Sequence, residues 1–182
     1  MGNGKVNVFF RLGISILSLA YFLAVGFCNP GIALEESRNR KIFSTWEGFE
    51  VDKCASIWLI KRFIDEEAIF RFFPKGHTIK EGITFDTPDA KFKRTYNMST
   101  FESLKRHFRI NDPKVEYISK IINDAEINIW EQKRFKETRL VLDAIRKIVA
   151  VSQTDEEVII KSCKFFDDLY EKIQVSSTKN VW

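Results

Sequence analysis

The stretch KCASIWLIKRFI, residues 53–64, predicts a buried helix at the centre of the fold. Its apolar side chains cover most of the circumference of a helix, whereas a surface helix carries a single apolar stripe. These side chains are Ala55, Ile57, Trp58, Leu59, Ile60, Phe63 and Ile64. Asp52 stands immediately before the stretch and belongs to the residue types that cap helix N-termini, so we expect Asp52 to cap this helix.

Short strands are predicted on both sides of the central helix. A candidate strand containing Phe43 and Trp46 precedes it, and the aromatic run AIFRFF, residues 68–73, follows it. Such runs, rich in aromatic and β-branched residues and bounded by turn residues, are typical of strands. Ile83 to Phe85 is a third and shorter candidate.

From Ser99 onward the apolar residues recur with the period of a helix. Three helix starts are predicted from capping residues: Ser99 with Glu102, Asp112 with Pro113, and Thr154 with Glu157. The expected buried faces are Phe101, Leu104 and Phe108; Val115, Ile118, Ile121 and Ile122; Val141, Ala144, Ile145, Ile148 and Val151; and Val158, Ser162, Phe166, Leu169 and Ile173. We therefore predict a mostly α protein with a small β element (α+β), a compact single-domain helical bundle with two or three short strands near its N-terminal part.

The first 33 residues have the pattern of a signal peptide. They contain Lys5 and Arg11 but no acidic residue, and the apolar run LGISILSLAYFLAVGF occupies residues 12–27. Small residues at Gly31 and Ala33 fit a cleavage site after Ala33. We expect a signal peptide at 1–33, a disordered polar lead-in at 34–41 and one domain at 42–182.

The predicted location is therefore outside the cytoplasm, in the periplasm or the extracellular medium. The alternative is an uncleaved membrane anchor at residues 12–27, but this run is shorter than the roughly 20 residues that span a bilayer. We expect contact with a membrane only through the signal segment, if it stays uncleaved.

Charge and cysteine content limit the classes of partner and of covalent bond. The chain has 29 basic and 25 acidic residues, a near balance that gives no case for nucleic-acid binding. Two cysteines, Cys54 and Cys163, remain after removal of the signal peptide. A disulfide between them and separate burial of each as a small apolar side chain are both compatible with the sequence.

The segment from Trp46 to Phe73 resembles the start of the chromate-resistance exported protein family, which shares its domain with the C-terminal half of a chromate-responsive regulator. The residues that carry the resemblance are Asp52, Ala55, Ser56, Trp58, Leu59 and Ile60; Arg62, Phe63, Ile64 and Asp65; Phe85 and Asp86; Thr100, Phe101 and Glu102; and, further along the chain, Asp112, Pro113, Phe166, Leu169 and Tyr170. The resemblance covers nearly all of the expected mature chain and implies a role in chromate or metal stress.

One departure from the family pattern concerns metal ligands. Family members commonly carry a histidine and a cysteine shortly before the TFE triplet, whereas this chain has Arg94 and Ser99 at those positions. Arginine and serine are poor ligands for metals that prefer thiolate or imidazole. If the family binds a metal through that pair, we expect this chain to have lost the site.

The candidate ligand-binding residues are Asp52, Ser56, Trp58, Arg62 and Arg94. Asp52 and Ser56 lie four residues apart and so share a helix face. Arg62 and Arg94, with Lys61 and Lys93, offer cationic groups suited to a tetrahedral oxyanion. The competing interpretation is structural. In it Asp52 only caps the helix, Ser56 is small for close packing, and the charged side chains lie on solvated faces.

A second set, picked out by the resemblance, comprises the carboxylates Asp65, Asp86 and Glu102. Such a set serves acid/base chemistry or holds a hard cation, but capping by Ser99 and Glu102 explains part of it equally well. His77 and His107 are expected at the surface, and no spacing of histidines and cysteines predicts a metal site. The cofactor is unknown.

Three hypotheses for the function follow. The first, from the resemblance alone, is an exported accessory protein of chromate or metal-stress resistance that binds a small oxyanion or metal species. The second is an enzyme of unknown reaction that uses Asp52, Asp86 and Glu102 in a pocket beside Trp58 and Arg62. The third is a structural or partner-binding domain without a small-molecule site, which predicts an exposed apolar patch.

Overall fold

The structure, a computed structural model, describes residues 40–130 and 132–174. The predicted signal peptide, the alternative anchor at 12–27 and residues 34–39 of the predicted lead-in lie outside the described residues. By its internal contacts the chain divides into two units, residues 1–38 and 39–182, and every described residue belongs to the second.

Three parallel strands form a sheet in the order β2, β1, β3. Their bounds are Ile42–Trp46 for β1, Ile69–Phe73 for β2 and Ile83–Thr84 for β3, so the three predicted strands are confirmed. β1 pairs along its whole length with β2, from Ile42 opposite Ile69 to Trp46 opposite Phe73. All three strands therefore end at the same edge of the sheet, which we call the carboxyl edge.

The predicted central helix is confirmed and is longer than expected. Helix α1, Val51–Leu59, is buried at all nine of its residues and continues as a π-helical turn, Ile60–Ile64. In that turn the backbone N–H of Asp65 donates to the carbonyl of Ile60 at 2.8 Å, a bond that spans five residues. The helix packs against α2, α3, α4 and α5, which places it at the centre of the bundle.

The predicted role of Asp52 as the cap of this helix is wrong. Glu50 occupies the cap position without a side-chain hydrogen bond, and Asp52 lies inside the first turn. Asp52 stands two residues after the cap, and its carboxylate accepts backbone N–H groups of another helix instead of those of its own. Asp52 is therefore available to another element, as described below.

Four further helices complete the fold: α2, Thr100–His107; α3, Pro113–Glu126; α4, Lys136–Val151; and α5, Asp155–Lys172. The three predicted caps are confirmed, because Ser99, Asp112 and Thr154 each accept a hydrogen bond from the backbone N–H groups of the first turn that follows. Among the described residues, no helix is long and apolar enough to cross a membrane.

One hydrophobic core joins the sheet to the helices. The ring of Phe43 in β1 lies 6.1 Å from that of Phe70 and 6.3 Å from that of Phe85. The predicted stripes of α3 and α5 are buried, whereas Val151 at the end of the α4 stripe is exposed, because the helix ends there. The predicted fold class, mostly α with a small β element, is confirmed.

Gly82 is expected to tolerate substitution much less well than Gly76. Both have positive φ, +71° and +90°, so alanine at either position costs about 1 kcal/mol in backbone strain. A Cβ at Gly82 would in addition lie 2.8 Å from the Ile42 carbonyl, whereas at Gly76 no atom lies within 4 Å. We expect Gly82→Ala to lower the free energy of unfolding by roughly 2 kcal/mol more than Gly76→Ala in denaturant titrations. Equal losses would contradict the close packing of β1 on Gly82.

Candidate functional site

A group of charged and hydroxyl side chains gathers at the carboxyl edge of the sheet. We call it the polar cluster: Asp52, Lys53, Asp86, Arg94, Thr100 and Glu126. β1 leads into the start of α1, and the chain after β3 carries Asp86, while the start of α2 and the end of α3 meet them there. Ligands of parallel sheets bind at this edge, because loops and helix N-termini converge on it.

Asp52 caps the N-terminus of α2 rather than that of its own helix. Its Oδ2 accepts a hydrogen bond from the Thr100 N–H at 2.6 Å, and its Oδ1 accepts one from the Phe101 N–H at 2.8 Å. The Ser56 hydroxyl donates to the same Oδ1 at 3.5 Å. The predicted pairing of Asp52 with Ser56 on one helix face is therefore present, and it serves a bond between α1 and α2.

The carboxyl group of Asp52 titrates near neutrality. Burial, and to a smaller extent the nearby charge of Asp86, raise the pKa of Asp52 from 3.8 to about 7, although the hydrogen bonds from Phe101 and Thr100 oppose the shift. Asp124 instead binds the loop before α4, where its Oδ2 accepts from the Arg134 N–H at 2.8 Å, and its pKa is lowered. The difference arises because burial is the dominant cause at Asp52, whereas at Asp124 the hydrogen bonds from side chains and backbone together outweigh burial.

Asp86 lies in the left-handed backbone region, with φ of 55°, directly after the last paired residues of β3. Its Oδ1 accepts a hydrogen bond from the Thr100 hydroxyl at 3.0 Å, and its Oδ2 lies 3.7 Å from the Lys53 ammonium. Burial raises the pKa of Asp86 although Lys53 favours its charged form. Thr100 therefore connects the two carboxylates, since its N–H bonds Asp52 and its hydroxyl bonds Asp86.

Lys53 supplies a buried positive charge whose side chain is 6% exposed. Its ammonium donates to the carbonyls of Trp46 and Gly48, both at 2.7 Å. Burial lowers the pKa of Lys53, and the neighbouring Asp86 opposes that shift. All its contacts are made to the protein, so this ammonium has little capacity left for a ligand.

Arg94 and Glu126 form the outer ion pair of the cluster. The Nη1 of Arg94 donates to Oε2 of Glu126 at 2.6 Å, and the two side chains are 48% and 11% exposed. Burial raises the pKa of Glu126 although Arg94 favours its charged form, and the backbone N–H of Asp52 also favours that form. The guanidinium of Arg94 is thus bound to a carboxylate of α3.

Trp58 and Arg62, predicted as ligand-binding residues, lie apart from the polar cluster and contact α5. The indole N–H of Trp58 donates to Asp167 at 2.8 Å, and its ring packs in the core. Arg62 pairs with Asp167 and Glu171, and its guanidinium lies 4.4 Å from the centre of the Tyr170 ring. The contacts of both residues join α1 to α5.

The carboxylates Asp65, Asp86 and Glu102 occupy three separate places. Asp65 accepts hydrogen bonds from the N–H groups of Lys41 and Glu67 in the turn before β2. The predicted capping box of Ser99 and Glu102 is half present. The hydroxyl of Ser99 accepts from the Glu102 N–H, but the carboxylate of Glu102 accepts from Arg106 and Asn123 and not from the Ser99 N–H. The amide oxygen of Asn123 takes the other half, accepting from the N–H of Ser99 at 3.0 Å.

The remaining candidate ligands of a metal are dispersed. Cys54 and Cys163 are both free thiols, and burial raises their pKa values to about 12 and about 11. His77 and His107 are exposed, as predicted. Within residues 40–130 and 132–174, no group of three or more histidine, cysteine, aspartate and glutamate side chains is placed to hold a metal ion.

Three members of the cluster were not predicted from the sequence: Lys53, Thr100 and Glu126. A lysine within an otherwise apolar central helix was a usable signal, because a buried ammonium requires partners. Thr100 belongs to the TFE triplet, which the resemblance had already selected. Glu126 ends α3 among other polar residues, and nothing local distinguishes it.

Comparison with known proteins gives one match. The family model described as ChrB, C-terminal domain, matches residues 43–173, which is more than half of the chain. The matched range begins in β1 and ends just after α5, and it includes every residue of the polar cluster. No curated protein and no solved structure matches this chain.

Proposed function

This chain belongs to the family of ChrB C-terminal domains, which is associated with chromate resistance, and from that premise we propose that it is an exported accessory protein that binds a small cationic species at the polar cluster. The observation that carries the choice of a cation is the surplus of buried carboxylates over free positive groups. The preferred ligand is a hard metal cation, the kind that carboxylate and carbonyl oxygens bind. Such a cation would have to draw the carboxylates together, because within residues 40–130 and 132–174 no three of them are placed to hold a metal in the present arrangement. Chromium(III), the reduced form of chromate, is a cation of this kind.

An oxyanion such as chromate is disfavoured because the anion-binding groups of the cluster are already used. The N-terminus of a helix binds anions through its free N–H groups, and those of α2 are bound by Asp52. The two cations, Lys53 and Arg94, are matched by Asp86 and Glu126. An incoming oxyanion would have to displace one of these carboxylates.

A cation, in contrast, meets carboxylates whose ionised forms are unfavourable in the cluster. The pKa values of Asp52, Asp86 and Glu126 are all raised, first by burial and then by the charges of neighbouring carboxylates. Glu50 at the start of α1 adds to this effect, since its charge contributes to the raised pKa values of Asp86 and Glu126. A bound cation would lower the free energy of the ionised forms of all four carboxylates.

Binding requires a rearrangement at the outer ion pair. Glu126 is held by Arg94, so a metal reaches this carboxylate only when the guanidinium moves away. Arg94 is half exposed and can leave towards solvent, whereas Lys53 is enclosed. The guanidinium of Arg94 therefore acts as a competitor of the cation.

The variant Arg94→Gln is expected to bind hard metal cations more tightly than the parent, and oxyanions are expected to stabilise neither protein. Release of Glu126 from its ion pair should raise the affinity for a hard metal cation by about tenfold. The measurement is a thermal-shift titration with chromium(III), manganese and magnesium on one side and chromate, molybdate and sulfate on the other.

A matched control is Arg71→Gln, because Arg71 forms a pair of similar length with Glu81, at 2.7 Å, between β2 and the loop before β3. This variant should leave every affinity unchanged. Stabilisation by chromate that disappears in Arg94→Gln would overturn the choice of a cation and favour an oxyanion site. Absence of any shift in both proteins would assign the cluster a structural role only.

Export remains part of the proposal and is supported by the sequence pattern of residues 1–33, with a charged start, an apolar run and small residues at 31 and 33. The experiment is fractionation of cells that express the full chain, with N-terminal sequencing of the product. A chain that retains residues 1–33 in the membrane fraction would favour the anchor at 12–27.

An acid/base enzyme built on Asp52, Asp86 and Glu102 has less support from the geometry. Asp52 is 2% exposed, which leaves little access for a substrate. Glu102 directs its carboxylate to Asn123 and Arg106, away from the Thr100 hydroxyl that joins the other two.

A further inference from the structure

Three large apolar side chains project into solvent from two neighbouring loops. They are Tyr96, Ile129 and Trp130, with exposed fractions of 90%, 87% and 71%. Tyr96 lies in the loop before α2, and the other two lie in the loop between α3 and α4. We call these three residues the loop patch.

The two loops are held side by side. Arg94 in the first pairs with Glu126 at the end of α3, and the N–H of Ser99 donates to the side chain of Asn123. Asn97, next to Tyr96, lines the same cavity of about 450 Å³ as Ile129 and Trp130. The three apolar side chains therefore belong to one region of the surface.

The second loop is fixed by hydrogen bonds that keep its apolar side chains outside. The side chain of Asn128 accepts from the Trp130 N–H at 3.1 Å and donates to Asp124 at 2.8 Å. The ammonium of Lys133 donates to the Asn128 carbonyl at 2.6 Å. A loop with this much internal bonding holds Ile129 and Trp130 in the open position.

Exposed basic residues lie near the loop patch; one of them, Lys120, also lies 3.9 Å from Glu116, and the acidic Glu131 follows Trp130 in the sequence. Lys120 and Arg134 line the same cavity, and Lys93 lies beside Arg94 in the first loop; all three are exposed. Among the described residues, Lys93 and Arg134 have no acidic partner for their side chains. Asp124, the acidic residue of the cavity lining, is buried and bound by backbone N–H groups.

We propose that the loop patch binds an anionic lipid surface, with tryptophan, tyrosine and isoleucine entering the headgroup region and the lysines and arginine contacting lipid phosphates. Tryptophan and tyrosine favour the interface between membrane and water, and basic residues near such a surface add electrostatic attraction. The strength of such binding grows with the apolar area that enters the interface and with the attraction to anionic lipids, and the loop patch offers both. The loop patch lies next to the polar cluster and shares the Arg94–Glu126 pair with it, but the proposed lipid binding does not require a cation at the cluster.

The test uses residues 39–182, which form a compact unit with a complete hydrophobic core and lack the apolar run 12–27 that would itself bind lipid. Vesicles of phosphatidylcholine, with and without phosphatidylglycerol, are sedimented with the protein. We expect binding to the anionic vesicles, weakened by salt, and at least about tenfold weaker binding for the triple variant Tyr96→Ser, Ile129→Ser, Trp130→Ser.

A matched triple variant, Leu140→Ser, Val151→Ser, Ile160→Ser, removes the same number of exposed apolar side chains from α4 and α5 and should bind like the parent. Thermal unfolding of both variants checks that they fold. Failure of the parent to bind anionic vesicles would overturn the proposal and assign the loop patch to a protein partner. Equal binding by the loop variant and the parent would overturn it as well.

Discussion

Replacement of Trp58 by alanine is expected to lower the free energy of unfolding by about 4 kcal/mol, as do tryptophan truncations in other cores. The ring is 1% exposed and packs against Phe101 and Phe166, with ring centres 6.3 Å and 5.7 Å away. Truncation leaves a cavity between α1, α2 and α5 and removes a hydrogen bond donor from Asp167. For a domain of this size, the midpoint of thermal unfolding should fall by roughly 10–15 °C.

Two further variants separate packing from hydrogen bonding. Trp58→Phe keeps an aromatic ring and should cost only about 1–2 kcal/mol, because Asp167 remains paired with Arg62. Trp130→Ala removes an exposed tryptophan and should change stability by less than about 0.5 kcal/mol. Should Trp58→Ala unfold at the midpoint of the parent, the assignment of Trp58 to the core would be wrong and a ligand-binding role would regain support.

The second large effect concerns Asp52→Asn: the difference in stability between this variant and the parent is expected to change sign with pH. The pKa of Asp52 is about 7 in the folded chain against an ordinary value of 3.8. Between these pH values the unfolded chain loses the proton and the folded chain keeps it, so stability falls as pH rises. Above pH 7 the ionisation of Asp52 lowers the free energy of unfolding by on the order of 4 kcal/mol relative to its value below pH 3.8.

Asparagine removes the titration and retains one of the two acceptor oxygens. At pH 5 the variant should be less stable than the parent by about 1–2 kcal/mol, since one N–H at the start of α2 loses its acceptor. At pH 8 the variant should be the more stable of the two, because the parent then carries a buried charge. Urea titrations of both proteins across this pH range measure the crossing.

Asp124→Asn is the matched control for this experiment. Asp124 also accepts backbone N–H groups from another segment, just before α4, but its pKa is lowered, so its stabilising charge is present above pH 3.8 and lost only below it. This variant should be less stable than the parent at both pH 5 and pH 8. A difference between Asp52→Asn and the parent that stays constant from pH 5 to pH 8 would show that Asp52 does not titrate in this window.

The parts of the fold that depend on residues close together in the sequence could be predicted from it. The apolar period of residues 53–64 gave the central helix, and Ser99, Asp112 and Thr154 gave three helix starts. These signals work because a helix face and a cap are each defined within a few residues of chain.

The candidate site depends on contacts between distant segments, and there the sequence was insufficient. Asp52 is of a residue type that commonly caps helices, but the N–H groups that it binds belong to Thr100 and Phe101. These two residues lie 48 and 49 positions further along the chain. Arg62 and Arg94 seemed equally suited to an oxyanion, yet one pairs with α5 and the other with the end of α3. Residue type indicates what a side chain can bind, and only the packing of helices selects the partner.

The order of the strands carries a consequence for biosynthesis. β1 is made first and lies in the middle of the sheet, and its partners appear only when the chain has been extended to Phe73 and then to Thr84. Until then the strand has two unpaired edges, which are open to pairing with other chains. A newly made chain therefore passes through a period in which its central strand has no partner, and this period ends only when roughly the next forty residues have been made.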